Sequence, residues 1–214
     1  MSQITTVLPK SDWERVTVRE NNEPLVRVEA SDKLITSLKD SSQLVRKSVK
    51  EKLIQASELL PENFKLKLIQ GYRTLEEQQE CWDKETLKIK LVHPELTDEE
   101  IESRVKMVVA RVQPLANHHC GGAVDVTLVN LDGSEVNLGS PYISESKEFD
   151  RINFPMFSNL ITGERAENRK VLREAMEKVG FVWYPGEWWH FCYGDRMWAV
   201  YTNQNECQYG PIEI

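Results

Sequence analysis

A chain of 214 residues is long enough for one domain to bury a substantial core, and nothing in its length demands a second. Its 34 acidic residues against 27 basic ones leave a net charge of -7, which argues against nucleic acid as a partner. No apolar run approaches the roughly 18 residues that a membrane-spanning helix needs, and Met1-Ser2-Gln3-Ile4-Thr5-Thr6-Val7 lacks the basic start and apolar core of a secretory signal, so no membrane partner is expected and the expected compartment is the cytoplasm.

In chain order, Arg15 to Ala30 alternates branched apolar and polar residues around Asn21-Asn22, which predicts two short strands joined by a turn. Ser42 to Leu60 places Val45, Val49, Leu53, Ala56 and Leu60 at helical spacing and stops at Pro61. Phe64, Leu66 and Leu68 alternate with Lys65 and Lys67, the period of a half-buried strand running into Gly71-Tyr72-Arg73. Thr74 with Glu77, and Thr97 with Glu100, have the form of capping boxes, so helices are expected to begin at both, with a break at His93-Pro94 between them.

Ala123 to Val129 reads as a strand, and Asp132-Gly133 as the turn of a hairpin. Leu138 to Ile161 has turn formers and no period, and is expected to be a long surface loop bordering a site. Glu167 to Val179 is an amphipathic helix ending at Gly180, and Phe181 to Tyr193 suggests two strands meeting at Pro185-Gly186. Together these elements predict an α+β fold with a mostly antiparallel central sheet flanked by helices, forming a single domain over 1–214 with a helical insertion around 83–113. Cys81, Cys120, Cys192 and Cys207 form no C-x-x-C pair and read as free thiols.

Three of the four histidines fall in two clusters, Asn117-His118-His119-Cys120-Gly121-Gly122-Ala123-Val124-Asp125 and Gly186-Glu187-Trp188-Trp189-His190. Alone, a His-His pair or a Glu-x-x-His is an ordinary surface or core feature, and two tryptophans are ordinary core aromatics. The conjunction points to a metal, because a zinc enzyme needs about three imidazole and carboxylate ligands, and His118, Asp125 and His190 would supply them. Gly121-Gly122 permits the tight turn that would bring His118 and Asp125 to one ion. Glu187, three residues before His190, is placed to take a proton from attacking water without being a ligand. His119 is the rival to His118.

These residues carry a resemblance to the D-alanyl-D-alanine dipeptidases of the VanX type, within the wider family of zinc D-Ala-D-Ala metallopeptidases (peptidase family M15). The family pattern is Ser-x-His-x-x-Gly-x-Ala-x-Asp followed by Glu-x-x-His. His118, Gly121, Ala123 and Asp125 fall on the first motif, Glu187 and His190 on the second, and Gly71-Tyr72-Arg73 matches an upstream Gly-Tyr-Arg element. His118 is favoured over His119 because it keeps the register with Asp125.

The resemblance implies a zinc site in a cleft on the sheet, with one Zn2+ per chain held by His118, Asp125 and His190. It also implies Glu187 as general base, Arg73 as the group that steadies the developing oxyanion, and a small peptide as substrate. Tyr72 and Trp189, beside these residues, are candidate substrate contacts.

Two departures from the pattern stand out. The motif serine is Ala116, and the family's Gly-x-Pro-Phe-Asp element reads Gly139-Ser140-Pro141-Tyr142-Ile143, without its acid. Phe149-Asp150 is the candidate for that element displaced by an insertion, which makes Asp150 a third candidate substrate contact. The function so implied is hydrolysis of D-alanyl-D-alanine. A D,D- or L,D-carboxypeptidase or endopeptidase acting on longer peptidoglycan peptides, or a non-catalytic zinc-containing binding module, remain the alternatives.

Overall fold

The computed structural model describes residues 6–8, 10–112, 117–142 and 148–214, with Lys10 and 148–150 described by their backbone alone. Ala116 lies outside the described residues, as does the side chain of Asp150. The first half carries α1 (Lys10–Glu14), β1 (Thr17–Val18), β2 (Leu25–Arg27), β3 (Leu34–Thr36), β4 (Leu44–Arg46), α2 (Lys47–Glu58), β5 (Phe64–Gln70), α3 (Leu75–Val92) and α4 (Asp98–Val105). The second half carries β6 (Ala123–Asn130), α5 (Glu164–Lys178), β7 (Val182–Trp183), β8 (His190–Cys192), α6 (Arg196–Tyr201) and β9 (Glu206–Cys207).

The main sheet has the order β3-β5-β6-β8-β7. Every pairing in it is antiparallel except β3 with β5, so the sheet is mixed. Leu66 and Leu68 of β5 and Val124, Val126 and Leu128 of β6 share one core with Val49, Leu53 and Ala56 of α2 and with Leu172, Ala175 and Met176 of α5. Strand alternation sends Asp125 and Thr127 to the opposite face of β6, and both are buried there.

The N-terminal strands form no hairpin. β1 pairs in parallel with β9, and β2 pairs antiparallel with β4, each in a separate two-stranded sheet. Asn22 does turn, at φ 59, but the strands it separates find partners elsewhere. The helix expected from Ser42 begins later, because Leu44–Arg46 is drawn into β4 and only Lys47–Glu58 is helical. Val45 is buried in the core from a strand.

Both capping boxes form. The Thr74 and Thr97 side chains accept from the backbone N–H of Glu77 and Glu100, whose carboxylates reach back to the threonine N–H groups. α3 ends with His93 as its C-cap, one residue before Pro94. α3 and α4 pack on each other through Ile89, Ile101, Val105 and Trp82, a cluster separate from the main core. The Asp132-Gly133 turn returns the chain for a single antiparallel bridge, Val129 to Glu135, and not a full strand. No helix among the described residues is long and apolar enough to cross a membrane.

Candidate metal centre

Asp125 and His190 are brought together by the sheet itself. They are directly opposed in the antiparallel pairing of β6 and β8, so their side chains leave the same face as cross-strand neighbours. His118 arrives from the turn Asn117–Cys120 that precedes β6. That turn closes through Gly121, whose φ of +73 suits glycine and whose added Cβ would lie 2.4 Å from Leu25 Cδ2.

Among the described residues, His118, Asp125 and His190 form a buried group whose ligand atoms all lie within 4.8 Å of one another. Asp125 Oδ1 is 2.9 Å from His190 Nδ1 and 3.4 Å from His118 Nε2. Each imidazole is oriented from its far side. His118 Nδ1 lies 2.8 Å from the Gly71 carbonyl, which can only accept, so Nδ1 carries the proton and Nε2 offers its lone pair. His190 is reversed: Nε2 faces the Cys192 sulfur at 3.4 Å and Nδ1 faces Asp125.

Burial alone would raise the Asp125 carboxyl, but the two imidazoles hold it well below the ordinary carboxylate range. Burial lowers His118, with Asp125 opposing it. For His190 burial also pulls downward, yet the Asp125 hydrogen bond and the charges of Asp125, Glu187 and Asp195 together outweigh it and the pKa rises. A carboxylate flanked by two oppositely presented imidazole nitrogens is a donor set that suits a divalent transition-metal cation such as zinc.

His119 has a different environment. Its Nδ1 is 3.1 Å from the Arg73 carbonyl and its ring stacks on Tyr72 at 5.6 Å. Tyr72 is itself buried, and its hydroxyl donates to the Ile212 carbonyl at 2.7 Å, contacts that account for its position without a ligand.

Around the buried ligands stand three partly exposed side chains, Arg73, Tyr142 and Glu187. Arg73 Nη1 donates to Gln78 Oε1 at 3.0 Å, Nη2 lies 4.0 Å from Asp125 Oδ2, and buried Nε has no hydrogen-bond partner among the described residues. Burial opposes its charge, but Tyr142, Cys81, Asp125 and Glu187 outweigh that and raise its pKa.

Glu187 sits in the turn before β8, with its N–H on the Tyr184 carbonyl and its own carbonyl accepting from His190 N–H. Desolvation raises its carboxyl to about 7, against the pull of His190. Trp189 hydrogen-bonds the Glu187 side chain and packs against Phe154 at 4.7 Å and Tyr142 at 5.3 Å.

Tyr142, which the sequence shows only as a departure from the family pattern, also reaches this cluster. Its hydroxyl donates to Asp125 Oδ2 at 2.7 Å. A cavity of about 320 Å³ beside α5, lined by Met156, Phe157, Arg169 and Arg173 among others, holds none of these residues.

The model of the M15 peptidase family, described as D-ala-D-ala dipeptidase, matches residues 33–209. The chain belongs to this family. A D-alanyl-D-alanine dipeptidase of Synechocystis sp. is 31% identical over 112 residues, 45% of this chain and 44% of the relative. One from Enterococcus faecium is 37% identical over 82 residues, 38% of each chain. The chain thus spans less than half the length of these M15 relatives.

Among solved structures, the D,D-pentapeptidase VanY of a VanB-type resistance cassette, in complex with Zn(II), is 18% identical, with coverage of 91% of this chain and 96% of that one and a TM-score of 0.47. The D,D-dipeptidase VanXYg, in complex with a D-Ala-D-Ala phosphinate analog, is 19% identical, with coverage of 92% and 71% and a TM-score of 0.45.

Proposed function

We propose that this M15 chain is a zinc-dependent dipeptidase that hydrolyses D-alanyl-D-alanine in the cytoplasm, working as one catalytic domain with a helical insertion around 83–113. The observation that carries the reading is the meeting of His118, Asp125 and His190 at one buried point beside the partly exposed Arg73 and Glu187. The activity of the Synechocystis and Enterococcus relatives supports the choice of substrate. Four free thiols, three of them buried, suit a reducing compartment.

One Zn2+ would be held by His118 Nε2, an Asp125 oxygen and His190 Nδ1, and when bound it supplies Lewis-acid polarisation and makes water acidic enough to react near neutral pH. The chain supplies the rest. Glu187, with its carboxyl raised to about 7 and oriented by the Trp189 indole, is suited to take a proton from the attacking water and return it to the leaving amine. Arg73, held at Nη1 by Gln78, keeps donors for the carbonyl oxygen as it gains charge, and its guanidinium stays protonated throughout. Phe154, Trp188 and Trp189 form an apolar wall that limits water around these groups. Asp150 is the candidate partner for the substrate ammonium.

Amine release from D-Ala-D-Ala, L-Ala-D-Ala, L-Ala-L-Ala and an N-acylated D-Ala-D-Ala, with zinc-loaded and chelator-stripped protein, tests the proposal. Zinc-dependent cleavage of the free D,D-dipeptide is expected. Cleavage of the acylated compound at a similar rate would move the assignment to a carboxypeptidase.

A further inference from the structure

Asp125 uses its two oxygens differently. Oδ1 faces both imidazoles, at 2.9 Å and 3.4 Å, whereas Oδ2 accepts the 2.7 Å hydrogen bond from Tyr142 and lies 4.0 Å from Arg73 Nη2. The terminal torsion of an aspartate is broad and two-fold, so the side chain's own preferences do not decide which oxygen faces the histidines. The phenol does decide it, because only Oδ2 is within its reach.

The phenol is itself firmly placed. Its ring meets Trp189 edge-on at 5.3 Å, and Trp189 is braced by Phe154 at 4.7 Å and Trp188 at 5.3 Å. Two residues before Tyr142, Ser140 Oγ accepts from Trp188 Nε1 at 2.9 Å, which ties the same segment to the same wall. A phenylalanine at position 142 would fill this ring site and bring no donor. The bond also affects Arg73: with Oδ2 satisfied by a neutral hydroxyl, the guanidinium stays beyond hydrogen-bond distance of Asp125 and is held by Gln78.

We propose that Tyr142 is a positioning residue of the metal centre, whose hydroxyl holds Asp125 Oδ2 and so presents Oδ1 alone to the ion. This rests on the metal-centre reading given above. Outer partners that orient a ligand typically contribute about ten- to a hundredfold to metal affinity, and Tyr142 fills that role for the carboxylate as Gly71 does for His118.

The test uses the full chain and zinc itself. Zinc affinity is measured by competition with a chromophoric chelator for the wild type, Tyr142→Phe and Tyr184→Phe, together with the metal-free melting temperature and the visible spectrum of the cobalt-substituted protein. Tyr184 is the control because its ring lies 6.0 Å from His190 with no bond to Asp125. Tyr142→Phe should bind zinc about tenfold or more weakly and shift the cobalt bands, with the metal-free melting temperature lowered by no more than the roughly 2–4 °C that one lost hydrogen bond produces, while Tyr184→Phe matches the wild type.

Equal zinc affinity in Tyr142→Phe and wild type overturns the inference and leaves the metal centre standing. So does an affinity loss accompanied by a fall in metal-free melting temperature well beyond the roughly 2–4 °C of one hydrogen bond, which would assign Tyr142 to the fold. A wild type that binds no zinc overturns the metal-centre reading and this inference with it.

Discussion

Gly71→Ala perturbs the centre from outside its ligand set. An added Cβ would lie 2.4 Å from the Leu44 carbonyl oxygen, 2.8 Å from Val45 Cγ1 and 2.9 Å from the Ser42 carbonyl oxygen, and two of these three are backbone atoms. Neither can swing aside as a long side chain would. Gly71 N–H also donates to Ser42 O at 2.8 Å, and Gly71 O accepts from His118 Nδ1 at 2.8 Å, so any retreat of the residue breaks bonds on both sides.

Overpacking of this kind costs about 1–3 kcal/mol, and the loss of one hydrogen bond adds about 1 kcal/mol. For a protein of this size each kcal/mol lowers the melting temperature by roughly 2–4 °C. A loss near 3 kcal/mol therefore lowers it by about 6–12 °C, and freeing the His118 ring weakens zinc binding as well. Thermal unfolding of the metal-free protein and chelator competition measure the two effects separately. A melting temperature within about 2 °C of wild type, less than a 1 kcal/mol effect produces, with unchanged zinc affinity, would refute the close-contact reasoning.

The remaining predictions concern the residues of the centre. Glu187→Ala should keep zinc and fold but lose about a hundred- to ten-thousandfold in turnover; zinc content and rate measured on one sample check this, and activity within about threefold of wild type, well short of that range, would sink the assignment of the base. Arg73→Lys should lower kcat with little change in KM, because an ammonium offers its donors from a single atom and lacks the planar fork that holds Gln78 with one nitrogen while presenting another; a raised KM at constant kcat would make Arg73 a substrate anchor instead. Elemental analysis should find zinc lost in His118→Ala and retained in His119→Ala, since His119 is engaged with Tyr72 and the Arg73 carbonyl. Full zinc in His118→Ala would reverse that choice.

Much of the centre was legible because its information is local. Gly121-Gly122 and the spacing of His118 to Asp125 announce a turn into a strand, and both capping boxes carry their geometry in four residues. β5 was readable from the alternation of Phe64, Leu66 and Leu68 with lysines.

What failed was pairing. Thr17 and Val18 look like half of a hairpin with Leu25–Arg27, yet their partners are Glu206 and Cys207 at the far end of the chain, and periodicity is blind to that. Leu44–Arg46 fit the helical spacing of the segment that follows, and only the presence of β2 beside them makes them a strand. Tyr142 escaped for the same reason. As a sequence it is a mismatch to a pattern, and its hydrogen bond to Asp125 depends on how the chain between them folds back.

Arg46 shows what this long-range closure means for anyone trimming the protein. Its guanidinium, 1% exposed, donates to the Cys120 carbonyl in the turn that carries His118, to both Glu20 oxygens, and to the Gly210 carbonyl, and its backbone N–H donates to Gly121 O. A minimal fragment cut at the bounds of the family match, 33–209, would remove both Glu20 and Gly210. It would leave a buried cation behind the turn that carries His118 with only the Cys120 carbonyl left of these acceptors, a defect of about 3–5 kcal/mol. The cluster of His118, Asp125 and His190 is in this sense fastened by segments on both sides of the family match, and the smallest stable fragment should be longer than homology alone suggests.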